Sequence, residues 1–208
     1  MNPKNFLLTA AWAFFAVGLA SGAEQISAKK WREGDIVFSH SERGQAEAII
    51  AATGSPITHC GIIFSKNGKL MVLEAVQPVG IVTLDEFISR STAGSVTTRR
   101  LKTPPPAERF REALAWAGTQ VGKNYDARFL WNDDKLYCSE LVWKIYQHAG
   151  IELCAPRRFR DYNLEKPAVR KIIDERFGGM AKVPLDEKVV APSDLAASPL
   201  LVDVPPVP

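Results

Sequence analysis

The sequence predicts an α+β fold, an antiparallel sheet packed against helices, and three observations carry that expectation. Short β-rich runs crowd the first half of the chain, at 34–38, 57–64, 70–76, 80–84 and 95–101. Asn67-Gly68 lies between two of them, the strongest short-range signal for a hairpin. Helical periodicity dominates afterwards, so the pattern is an early helix, then a run of strands, then helices.

Each element has its own warrant. Gly34-Asp35-Ile36-Val37-Phe38 reads as a short strand. Ser39 and Glu42 have capping-box spacing, and Ala46, Ile49, Ile50 and Thr53 form one helical stripe that Gly54 can close. The hairpin strands 57–64 and 70–76 follow, then strands at 80–84 and 95–101. Phe110, Ala113, Leu114, Ala117 and Val121 recur at helical spacing up to Gly122. Leu141, Val142, Ile145 and Ala149 mark a second helix, closed by Gly150. Past Arg176 the chain turns Gly- and Pro-rich, with six prolines from Pro184 to Pro208, and is expected to wrap the domain as an extended tail.

Composition narrows the function classes. A length of 208 residues suits one domain of ordinary size. With 46% apolar and 24% charged residues the chain is globular, not disordered. A formal charge of +3 builds no nucleic-acid stripe. Three cysteines exclude a disulfide-dense scaffold, and three histidines argue against a His-rich metal centre.

Residues 1–23 read as a signal peptide. Lys4 supplies the positive start, Phe6 to Ala20 the apolar run, and Ser21-Gly22-Ala23 the small residues of a cleavage site. The apolar run is shorter than the roughly 20 residues of a spanning helix, so no stable membrane insertion is expected. This predicts export, to a periplasmic location, of one domain over residues 24–208.

The hairpin register points to chemistry. A two-residue Asn67-Gly68 loop sets Ile63 against Val72, Gly61 against Glu74 and His59 against Val76. His59, Gly61, Ile63, Val72, Glu74 and Val76 then share one face, and Cys60 faces the other way. Glu74 becomes the diagonal neighbour of His59, with Gly61 leaving room between them. A carboxylate that orients an imidazole is the third member of a catalytic triad. The plainer alternative is an ordinary surface pair, and a one-residue slip would flip the face and promote Asp85.

Cys138 supplies the matching nucleophile. It falls in the first turn of the helix running to Ala149, where free N–H groups and the helix dipole favour a thiolate. The same N–H groups can hold an oxyanion. Cys60 and Cys154 fit buried structural roles, with a disulfide between them left open. Zinc is disfavoured because the His and Cys residues are scattered. His148 ends a helix, His40 is expected to face solvent, and Asp133 and Asp134 are expected to cap the Cys138 helix. Glu140 lies too close to Cys138 along that helix to orient His59.

Taken together, Thr58-His59-Cys60-Gly61-Ile62, Leu73-Glu74-Ala75 and Tyr137-Cys138-Ser139-Glu140-Leu141-Val142 resemble the circularly permuted papain-like cysteine hydrolases of the NlpC superfamily, above all the YiiX branch. Gly122-Lys123-Asn124-Tyr125-Asp126 and Pro192-Ser193-Asp194-Leu195 add to the likeness, which runs from about residue 33 to 202. The order His59, Glu74, Cys138 is what the permuted branch implies. Cys60 departs from it, standing where an aliphatic residue is expected.

The resemblance implies a Cys138 nucleophile, a His59 base and an orienting Glu74, with the Tyr137 hydroxyl helping to bind the oxyanion. It implies acyl transfer through an acyl-enzyme, with no cofactor. The expected substrate is a peptide or a peptidoglycan-derived stem peptide, with no nucleic-acid partner. Alternatives are a lipid-directed acyl hydrolase or acyltransferase, since the branch also resembles lecithin–retinol acyltransferases, and a non-catalytic binding module. The apolar stripe from Phe110 to Val121 is committed to the core, which leaves no lipid-docking helix and favours small polar peptides. Arg99, Arg100, Arg157, Arg158 and Arg160 are candidates to bind substrate carboxylates, if any lines the cleft.

Overall fold

A computed structural model describes residues 31–41 and 44–205, so the expected signal peptide and Glu42 lie outside the described residues. Its main sheet has the strand order β4-β3-β2-β1-β5-β8, and every pairing in it is antiparallel. These strands are β1 (Ile36–Ser39), β2 (His59–Lys66), β3 (Lys69–Glu74), β4 (Gly80–Thr83), β5 (Thr97–Leu101) and β8 (Leu201–Val204). A separate ribbon joins β6 (Arg157–Arg158) to β7 (Lys188–Val189). The helices are α1 (Ala46–Thr53), α2 (Leu84–Ser89), α3 (Ala107–Gly118), α4 (Cys138–His148), α5 (Pro167–Phe177) and α6 (Pro192–Ala196).

The β2–β3 hairpin has the register expected from its turn. Ile63 pairs with Val72 and Phe64 with Met71, and Asn67 and Gly68 take φ of 53° and 75°. Positive φ at both central residues is what a two-residue turn matched to strand twist requires. Alternation then sorts the strand residues by face. Ile36, Phe38, Cys60, Ile62 and Leu73 pack with Leu141, Val142 and Ile145 of α4. Val37, Ile63 and Val72 pack on the opposite face with Leu84 and Phe87 of α2.

Helix α4 is the central beam of the larger face. Leu141, Val142, Ile145 and Tyr146 are fully buried, and each such side chain contributes about 1.5–3 kcal/mol by leaving water. The Tyr146 hydroxyl donates to the Gly34 carbonyl, tying the helix to the entry of β1. Beside it, buried Asp35 accepts from Arg100 at 2.6 and 2.7 Å, a bidentate pair that joins the start of β1 to β5.

Several boundaries differ from expectation for local reasons. Ser39 belongs to β1, and α1 starts after Gln45 without a side-chain cap. Leu84, expected to end a strand, instead opens α2, because the Thr83 hydroxyl accepts from the Glu86 N–H and caps a helix there. Helix α5 was not expected; Pro167 stands in its first turn and Gly178 follows it in the left-handed conformation. The Pro-rich segment read as an extended tail contributes α6, with Leu195 fully buried, and the edge strand β8 against β5.

Candidate active site

The hairpin delivers two of the expected residues to one place. His59 opens β2 and Glu74 closes β3, and their Nε2 and Oε2 atoms lie 2.6 Å apart. Glu74 is 1% exposed and His59 19%, so the pair sits at the mouth of the core. Gly61 makes that approach possible. A Cβ there would lie 2.5 Å from Val72 Cγ1, 3.0 Å from the Leu73 carbonyl and 3.3 Å from Glu74 Cβ. The ring of His59 also stacks on Phe87 of α2, with centroids 5.7 Å apart.

Glu74 has a second partner that sequence reading missed. Arg90, the residue after α2, donates through Nη2 to Oε1. Burial alone would raise the Glu74 pKa, but His59 and Arg90 outweigh it and hold the carboxyl below its ordinary value. The signal for Arg90 depended on α2, whose six residues carry little periodicity.

Cys138 arrives from the other face of the sheet. It is the first residue of α4, and the N–H groups of a helix's first turn have no intrahelical acceptor. The flanking side chains clip this turn to the chain after β7. Ser139 Oγ donates to the Val190 carbonyl at 2.6 Å, and the Tyr137 hydroxyl accepts from the Val190 N–H at 3.2 Å. The Cys138 thiol is hydrogen-bonded to His59 and to Cys60. Since Glu74 holds Nε2 of His59, the Nδ1 side of the ring is the one left for sulfur.

Cys60 therefore has more than the structural role expected of it. It does face away from His59, but that face carries α4, so turning away from His59 brings it against Cys138. Burial pushes the Cys60 thiol up, which keeps it a donor. Its S–H is the largest influence drawing Cys138 well below the usual thiol value; burial opposes this and the His59 charge adds to it. Burial would also lower His59, yet the Cys138 thiolate and Glu74 raise it to about 10. Both shifts favour the thiolate–imidazolium form of the pair.

The remaining candidates lie elsewhere. Asp85 is exposed in the first turn of α2. Glu140 accepts from the Tyr137 N–H and pairs with Lys144, turned from His59. Asp133 also pairs with Lys144 and does not cap α4, whose N-cap is Tyr137. His148 stacks on Trp116, and His40 is half-buried with Nδ1 2.9 Å from the Pro56 carbonyl. Arg99, Arg100, Arg157, Arg158 and Arg160 pair with Asp203, Asp35, Asp194 and Asp186, and none lines either cavity at the site, so the expectation that they meet substrate carboxylates is not supported. The three cysteines are free thiols. Among the described residues no three His, Cys, Asp or Glu side chains gather as a metal site, and none of the helices is long and apolar enough to cross a membrane.

Two cavities meet where Cys138, His59 and Glu74 come together. One, of about 110 Å³, reaches Cys138 between α1, α5 and the segment 189–192. The other, an open cleft of about 440 Å³, is lined by His59, Glu74, Gln77 and Arg90. Tyr125 lines both, and its hydroxyl accepts from Gln45 Nε2 at 2.6 Å.

Comparison with known proteins identifies the family. Residues 30–204 match the family described as permuted papain-like amidase enzymes, YaeF/YiiX, C92 family. The protein YiiX of Escherichia coli K12 is 36% identical over 172 residues, which span 82% of this chain and 84% of that one. The crystal structure of YiiX from Escherichia coli O157:H7, described as a metalloprotein, superposes with a TM-score of 0.79 at 35% identity, over 86% of this chain and 98% of that one.

Proposed function

The chain belongs to the permuted papain-like amidase family of YaeF and YiiX, and on that premise we propose that it is a cysteine amidohydrolase working through Cys138, His59 and Glu74. One observation carries the reading: a single imidazole is bonded to a buried carboxylate on one side and to a thiol at a helix N-terminus on the other.

The Cys138 thiolate attacks the amide carbonyl carbon, and the carbonyl oxygen takes the negative charge. The first-turn N–H groups of α4 face that charge. We assign the oxyanion to them; the Tyr137 hydroxyl accepts from the Val190 N–H and keeps its own proton to donate. As the C–N bond breaks, the His59 imidazolium gives its proton to the departing amine. A water then loses a proton to neutral His59 and attacks the thioester, releasing the acid and restoring the Cys138 thiolate beside the His59 imidazolium. Glu74 holds the ring and its charge throughout, and Arg90 fixes Glu74.

The description of the Escherichia coli relative as a metalloprotein raises the question of a metal at this site. Both oxygens of Glu74 are taken by cations, and His59 is bonded on both sides, so these donors do not fit a metal ion. The pattern of residues 1–23 supports an exported enzyme acting on peptide-type amides.

The test is amide hydrolysis by purified protein and its Cys138→Ala and His59→Ala variants. Both should lose at least about 10³-fold in kcat with the fold intact, a size typical of triad members. Activity retained by Cys138→Ala would overturn the reading.

A further inference from the structure

Cys60 sets a second thiol against Cys138, and acyl transfer forms its covalent bond with only one. Cys60 faces α4 from β2 and Cys138 opens α4, so strand and helix bring the two sulfur atoms together in the core. The two thiols are hydrogen-bonded to one another. Their access differs. Cys138 lines a cavity, whereas Cys60 is 0% exposed and lines neither cavity at the site. Cys154 is held elsewhere, its carbonyl accepting from Trp143 Nε1 further along α4. A thiolate that small molecules can reach, resting on a sealed thiol, is the arrangement that captures an oxidised cysteine before it is oxidised further.

We propose that Cys138 is a site of reversible oxidation by hydroperoxides, with Cys60 as its resolving cysteine. The Cys138 thiolate attacks one peroxide oxygen and the O–O bond breaks. The departing oxygen takes the proton of the His59 imidazolium and leaves as water or an alcohol. Cys138 is then a sulfenic acid. The Cys60 sulfur attacks the Cys138 sulfur, the S–O bond breaks, and the hydroxide leaves as water with the Cys60 proton. The product is a Cys60–Cys138 disulfide: each sulfur has given up one electron, and the peroxide has taken both. Thiols already in hydrogen-bond contact need only a small closing movement to reach the about 2.05 Å of an S–S bond. The bond blocks the nucleophile and keeps it from becoming a sulfinic acid, which a thiol reductant does not reverse. None of these steps uses an amide, so the inference goes beyond the amidase reading and is tested apart from it.

The experiment treats reduced protein with hydrogen peroxide, unfolds it in the presence of N-ethylmaleimide, and reads intact mass and peptide maps. The oxidised chain should have lost about 2 Da and should take up N-ethylmaleimide on Cys154 alone, with Cys60 and Cys138 in one disulfide-linked peptide. Dithiothreitol should restore iodoacetamide labelling of Cys138 in the folded protein. Cys60→Val, which keeps an apolar side chain in the core, should instead gain about 32 Da on Cys138, with labelling after dithiothreitol at least about tenfold below the parent. Urea unfolding verifies that this variant is folded, and Cys154→Ser should behave as the parent. A parent chain that goes to sulfinic acid as readily as Cys60→Val, a disulfide from Cys138 to any other cysteine, or a Cys138 that peroxide leaves untouched would each overturn the inference.

Discussion

Replacing Glu74 by Gln tests the triad at its most constrained atom. The carboxylate accepts from two donors, His59 Nε2–H on Oε2 and Arg90 Nη2 on Oε1. An amide has one acceptor. Arg90 is always charged and can only donate, so it claims the amide oxygen. The amide NH₂ then faces His59 and can bond only to an unprotonated Nε2. That moves the ring proton to Nδ1, the nitrogen beside Cys138, where it can no longer receive the thiol proton. The same tautomer error costs about 10⁴-fold in kcat in a Ser-His-Asp triad. The fold should survive, since the side chain keeps its shape; losing one charge-assisted bond costs about 1.5–3 kcal/mol. The assay is steady-state amide hydrolysis beside urea unfolding, with Asp85→Asn as the exposed control. A folded Glu74→Gln protein within tenfold of the parent in kcat, or a crippled Asp85→Asn, would refute this reasoning.

Other outcomes follow from the same geometry. Iodoacetamide at pH 6.5 should label Cys138 alone, because Cys60 is held protonated and burial pushes Cys154 up to about 12; peptide mapping that finds Cys60 or Cys154 labelled first would contradict it. The alkaline limb of kcat/KM should lie near pH 10, where His59 loses the proton it must give the amine, and should move to lower pH in Glu74→Gln, since the carboxylate helps raise that pKa. Gly61→Ala should cost about 1–3 kcal/mol of stability in urea and lower kcat, because the new Cβ meets Val72 Cγ1 at 2.5 Å and presses on Glu74. Cys60→Ala removes the S–H that stabilises the thiolate, so the pH at which iodoacetamide half-labels Cys138 should rise.

How far the sequence reached depended on the range of each signal. The hairpin was fully legible because Asn67-Gly68 fixes a two-residue turn and alternation does the rest. That placed His59 beside Glu74 without any tertiary information. Cys138 was legible through helix periodicity. Arg90 was not, because it depends on the six-residue helix α2 capped by one hydroxyl. The role of Cys60 was missed for a different reason: its face was read correctly, but no local pattern tells which helix covers that face. The cavity that reaches Cys138 needed α5. Its signal was present in Val169, Ile172, Ile173 and Phe177 between Pro167 and Gly178, yet its packing against α1 is a contact more than 100 residues apart in sequence. Residues 1–23 remain an expectation from sequence.

The central claim is that Cys138 carries the acyl group during turnover, and intact-mass measurement tests it most directly. Protein mixed with excess of a hydrolysed amide substrate and acid-quenched within one turnover should gain the mass of one acyl group. Peptide mapping should place it on Cys138 as a hydroxylamine-labile thioester. Cys138→Ala should show no adduct. Turnover with no adduct under any quench, or an acyl group mapped to another residue, would contradict the account.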